Sequence, residues 1–149
     1  MRILLAIDES QYSQAAARAF AAQFRSAETQ VHVLHAIDWP RVFPDHFSFG
    51  EGAEFAYEFK KFMESERQRA CQVTEQTAAA LTTAGFSTTF SVLEGDAKKA
   101  ILDYAAKWNP DLIVLGSHGR RGIDRIVLGS VSEAVARHAH CSVQIMRAA

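Results

Sequence analysis

The sequence predicts an α/β fold: a doubly wound, Rossmann-like five-stranded parallel sheet between two helical layers. Three observations predict it. Residues 2–7 and 111–116 are near-continuous apolar runs, the pattern of strands buried on both faces of a parallel sheet. Segments with apolar residues at helical spacing separate each strand-like run from the next. Strict alternation of the two, with right-handed crossovers, gives a three-layer α/β/α sandwich.

Arg2 to Ile7 reads as the first central strand. A helix follows, with Ala16, Ala19, Phe20 and Phe24 on one face, and then a second buried run, Val31 to Ile37. Phe55, Phe59, Phe62, Met63 and Val73 line a second helix on one face. Ser87 to Leu93 alternates more clearly, as a strand near a sheet edge does. Ala97, Ile101, Tyr104, Ala105 and Trp108 repeat the helical spacing before the central strand at 111–116. The last helix turns Val131, Ala134 and Val135 inward and starts after Gly129-Ser130, a small residue and a good cap. Ser142 to Met146 alternates as a closing edge strand. In such a sheet ligands bind at the carboxyl ends of the strands where the strand order reverses, here after Ile7, Ile37 and Leu115. The stretch Asp38 to Gly52 departs from the alternation: an irregular loop carrying Trp39, Pro40, Phe43, Pro44, Phe47 and Phe49. It reads as a packed flap, a lid or a partner surface.

The 149 residues match one domain spanning 1–149, about half apolar. A net charge of −1 leaves no broad electrostatic footprint for nucleic acid or anionic lipid. Cys71 and Cys141 lie far apart with no CxxC and no ordered Cys/His set, so they are expected as reduced, buried thiols. The opening apolar run is too short for a signal-peptide core and no run reaches membrane-spanning length, which points to the cytoplasm.

The chemistry concentrates in Gly116-Ser117-His118-Gly119-Arg120-Arg121-Gly122, residues 123–128, and Gly129-Ser130-Val131-Ser132. Glycines between a strand and a helix let backbone N–H groups approach a phosphate, and a helix N-terminus adds unpaired donors and a positive dipole end. No Lys stands where a Walker loop needs one, and the spacing is not GxGxxG. The spacing present is Gly116, two residues, Gly119, nine residues, Gly129-Ser130.

That spacing, with the opening strand ending in Asp8 and Ser10, the Leu34-His35-Ala36 run and the closing strand, resembles the ATP-binding members of the universal stress protein family. The resemblance covers essentially the whole chain. It implies that Asp8 takes the ribose hydroxyls and that backbone at Ala6, Ile7 and Ala36 lies against adenine. Gly116 would sit beside the ribose, with Leu115 also in the nucleotide site, and Gly119, Gly129, Ser130, Val131 and Ser132 would cradle the phosphates, flanked by His118 and Arg120. It further implies ATP with Mg2+ as cofactor and a homodimer through Ser142 to Met146. The physics agrees: a carboxylate accepts from two ribose hydroxyls, and backbone donors with the Ser130 and Ser132 hydroxyls suit phosphate oxygens. Asp8 also reads as a cap for the helix entered near Ser10. Two residues depart from the family pattern, Glu9 where many members have Gly and Ala6 where many have Pro. Glu9 places negative charge near the nucleotide, either opposing a triphosphate or approaching its magnesium ion.

His138 and His140 with Cys141 have no third ligand at metal spacing, and His138 reads as a helix-end residue continuing an apolar stripe. His32 and His35 fall three apart on one strand and face opposite sides of the sheet. No Gly-x-Ser-x-Gly elbow is present, which argues against acyl transfer. The function expected first is a nucleotide-dependent stress-response regulator with at most slow hydrolysis and an unknown protein partner. Rival readings are a true ATPase or adenylate-transferring enzyme, a flavin-type electron carrier, and a nucleotide-free member acting through contacts.

Overall fold

The computed structural model describes residues 1–24, 28–38, 52–117 and 128–147. Within them the expected alternation holds: β1 (Arg2–Ile7), α1 (Gln11–Gln23), β2 (Gln30–Ile37), α2 (Gly52–Thr83), β3 (Ser87–Glu94), α3 (Ala97–Trp108), β4 (Leu112–Gly116), α4 (Ser130–His138) and β5 (Ser142–Met146). All pairings are parallel and the strand order is β3-β2-β1-β4-β5. Both strands with clear alternation, β3 and β5, stand at the edges.

The order grows in one direction from β1 to β3 and in the other from β4 to β5. Right-handed crossovers therefore place α1 and α2 on one face and α3 and α4 on the opposite face. The two cores follow this division. On the first face Ile3, Leu5, Ile7, Val31, Val33 and Val114 pack with Ala16, Ala17 and Phe20 of α1 and Ala78 and Leu81 of α2. On the second, Leu4, Ala6, Leu34, Ile113 and Leu115 pack with Ile101 and Ala105 of α3 and Val135 of α4. The period of two along a strand is what sorts odd and even residues of β1 between these cores. Phe20 is fully buried, its ring 4.8 Å from Phe24 and 5.4 Å from Phe86.

The caps explain where helices start and stop. Ser10 is the N-cap of α1, its side chain accepting from the Ser13 N–H at 3.1 Å. Asp96 caps α3 by accepting from the Lys99 N–H at 3.0 Å, and Asn109 ends the helix in the left-handed conformation, φ 51°.

Three expectations need correction. Phe62 does not face a core; it is 49% exposed, because α2 outruns the sheet. Arg67 pairs with Glu94 at 3.6 Å, which puts the end of β3 level with the middle of the helix. The turns before Arg67 thus extend beyond the carboxyl edge, and Tyr57 there is 66% exposed. His138 is exposed and carries no apolar stripe onward. Cys71 and Cys141 are free thiols, as expected, but half-buried.

Candidate functional site

β1 and β4 are the neighbours between which the strand order reverses, so their carboxyl ends frame a crevice. Ala6 and Ile7 end β1 and are buried; Ala6 pairs with Leu34 on one side and Leu115 on the other. Leu115 is buried and Gly116 half-buried at the end of β4, while Ala36 is half-buried near the end of β2. Asp8 follows β1 directly. Its Oδ1 accepts the Ser10 N–H at 3.0 Å and the Ser10 hydroxyl at 2.6 Å, and its own N–H donates to Ser13 Oγ at 2.9 Å. The capping role weighed for Asp8 belongs instead to Ser10, and the carboxylate is held in a tight turn at the rim of the crevice.

Across the crevice, backbone and side-chain bonds fasten the ends of the segment between β4 and α4. The Gly129 N–H donates to the Ser117 carbonyl at 2.9 Å, the Ser117 N–H to the Met146 carbonyl at 2.9 Å, and the Ser132 hydroxyl to the Gly116 carbonyl at 2.7 Å. These bonds set the N-terminus of α4 beside the carboxyl end of β4. Gly129 is its N-cap and supplies no side-chain hydrogen bond, whereas Ser10 caps the α1 terminus. Of the two helix N-termini flanking the crevice, α4's is therefore, among the described residues, the one whose N-cap residue leaves its first-turn donors without a side-chain acceptor. Ser130 is exposed, Val131 half-buried and Ser132 buried, its hydroxyl proton engaged by Gly116. His118, Gly119, Arg120, Arg121 and Arg125 lie outside the described residues, as do all the aromatic residues of the 38–52 loop.

The sequence shows Ser117 only as part of the Gly-rich segment and gives Ser13 no role. Both are buried, and both hold the frame of the crevice, Ser117 through its backbone N–H and carbonyl and Ser13 through its hydroxyl, which accepts the Asp8 N–H. Nothing in residue type or spacing distinguishes a serine used this way from a solvated one. His32 and His35 do lie on opposite faces, as their separation requires; among the described residues no group of three or more metal-ligating side chains forms. No described helix is long and apolar enough to cross a membrane.

The comparisons with known proteins agree with this architecture. The profile of the universal stress protein family matches residues 1–147. A universal stress protein of Synechocystis sp. is 28% identical over 98% of this chain and 97% of its own. One from Methanocaldococcus jannaschii is 30% identical over 98% of this chain and 81% of its own. Among solved structures, a Lactobacillus plantarum universal stress protein superposes with a TM-score of 0.80 at 23% identity, covering 99% of this chain and 97% of that one. An Arabidopsis thaliana member solved with AMP bound gives 0.69 at 16% identity, over 98% and 90%. An Archaeoglobus fulgidus member in complex with dAMP gives 0.63 at 19%, over 99% and 98%. With a matching profile over nearly every residue, the chain belongs to the universal stress protein family.

Proposed function

We propose that this protein is an ATP-binding regulator of the stress response, a single unit over residues 1–149 whose nucleotide occupancy alters its protein contacts with at most slow hydrolysis. The observation that carries the reading is the α4 N-terminus: glycine-capped, without a side-chain cap, and set beside the β4 end of the reversal crevice. Such a terminus attracts phosphate. The carboxylate of Asp8, rigid at the end of β1 in the same crevice, suits ribose hydroxyls. Ala6, Ile7, Ala36, Leu115 and Gly116 would form the base and ribose side. Gly129, Ser130, Val131 and Ser132 would hold phosphates, together with His118, Gly119 and Arg120. Because the Ser132 hydroxyl donates to Gly116, Ser132 would contribute its backbone N–H and Ser130 its hydroxyl. The donor set fits a polyphosphate, whose Mg2+ would add charge neutralisation. The relatives solved with AMP and dAMP support an adenine nucleotide. The position of β5 at the edge of the sheet, with no further strand beside it among the described residues, supports a homodimer through Ser142 to Met146, since an unpaired edge is a template for a second strand.

Thermal unfolding with Mg-ATP, AMP and GTP tests the reading. A ligand at about a hundred times its Kd stabilises by roughly 2.7 kcal/mol, several degrees in Tm for a chain of this size. A shift with ATP in the wild type that disappears in a folded Gly129→Val variant is expected. No shift with any nucleotide in ligand-free protein would favour a member acting through contacts alone.

A further inference from the structure

His32 is 5% exposed on the α3 face of β2, and both ring nitrogens are engaged by the neighbouring edge strand. Nδ1 lies 2.8 Å from Thr89 Oγ1 and Nε2 lies 2.8 Å from Ser91 Oγ. Above the imidazole, Tyr104 of α3 stacks at 4.5 Å with an interplanar angle of 20°, and Trp108 lies at 5.6 Å. The Tyr104 phenol also lies near the Ser91 hydroxyl. One imidazole thus ties β2, β3 and α3 together, on the face where β3 has little other cover: Thr89 is exposed and Ser91 half-buried.

We propose that His32 is an acid-released latch on β3: neutral, it clamps the edge strand to β2 and α3, and protonated, it loosens that strand while the centre of the sheet stays folded. A neutral imidazole donates from one nitrogen and accepts at the other, matching two hydroxyls. Protonation makes both nitrogens donors, so the hydroxyl that had donated to the ring can only accept from it, and its own proton must swing to another acceptor. The new charge enters a site stripped of water. The other charged or titratable groups around it are few. β1 contributes the Arg2 guanidinium, 4.4 Å over the Trp108 ring, and α3 the Tyr104 phenol. The turn before β4 contributes the Asp111 carboxylate, which accepts the Arg2 backbone N–H at 2.7 Å. β3 offers hydroxyls to the ring but no carboxylate at these positions. Burial accordingly lowers the His32 pKa from 6.5 to about 4.

The sign follows from linkage. In an opened state the ring recovers its ordinary pKa of 6.5, so the open form binds the proton more readily than the closed one. The latch holds fully above pH 6.5 and weakens as pH falls through the window down to about 4. Within it each pH unit should cost about a factor of ten in protection, roughly 300-fold in all.

Hydrogen exchange with mass spectrometry, corrected for the intrinsic pH dependence of exchange, tests this on the wild type and on His32→Gln. The Gln side chain keeps a donor and an acceptor but does not titrate. Expected is loss of protection in residues 87–94 as pH falls from 6.5 to 4 in the wild type, with β1 and β4 amides steady, and a flat profile for β3 in the variant. A flat wild-type profile would overturn the latch. So would β3 and β1 losing protection in parallel, which would make His32 a term in global stability only. Should the variant fail to fold, the wild-type exchange profile is read beside an NMR titration of the imidazole: a midpoint near 4 with loss of protection confined to β3 supports the latch, and a midpoint near 6.5 refutes it.

Discussion

At the residue scale, the same side-chain types serve opposite ends depending on what their atoms face. Ser132 resembles a phosphate ligand by position, yet its hydroxyl is buried and spends its proton on the Gly116 carbonyl at 2.7 Å. Removing that donor leaves a carbonyl at the crevice with one partner fewer, a loss of about 1–2 kcal/mol. Ser132→Ala should lower the urea-unfolding free energy by that amount without altering the m-value; an unchanged midpoint would mean that water replaces the hydroxyl at no cost. Asp8 and Ser10 divide the work at the other rim, Ser10 capping α1 and Asp8 orienting Ser10. The sequence placed both at the end of β1 but left the cap ambiguous. Either oxygen-bearing side chain can accept a first-turn N–H, and only the path of the backbone decides which one reaches it.

At the element scale, the strands and most helix starts were legible because their signals are local. A run such as Ile3-Leu4-Leu5-Ala6-Ile7, apolar on both faces, has few homes other than a central parallel strand. Gly129-Ser130 announced α4 one residue late: Ser130, expected as the cap, is the first helical residue, and Gly129 is the N-cap. The length of α2 relative to the sheet was not legible. Phe59, Phe62 and Met63 continue the helical spacing of a core stripe, and periodicity says which residues share a face, not how far the partner surface extends. The α3 caps give a direct test at this scale. Asp96 satisfies an otherwise unpaired donor at the helix start, and Asp96→Ala should cost about 1 kcal/mol in denaturant unfolding. A cost indistinguishable from zero would mean that packing of Ile101 and Ala105 alone fixes where α3 begins. The His32 latch belongs to this scale too, since it joins three elements through one ring.

At the scale of the whole molecule, the crevice is a product of topology: β1 and β4 are neighbours only because the chain leaves β1 for β2 and β3, then crosses back by α3. The reversal was legible in the alternation of elements; the bonds that fasten its two rims were not, since they depend on backbone atoms brought together from distant positions. β1 is the first strand in the chain and the middle strand of the sheet. Its second neighbour lies far ahead: the Arg2 N–H bonds the Asp111 carboxylate across 109 residues of sequence. During synthesis at about 5–20 residues per second, β1 must wait on the order of 5–20 s before β4 exists to complete it. Ribosome-held chains ending before β4 should therefore leave β1 open to protease, whereas chains with β5 fully emerged should protect it; equal protection would point to an earlier, non-native cover. A strand apolar at every position after Arg2 thus emerges long before its last partner, β4, so the growing chain offers chaperones a surface that the finished one buries.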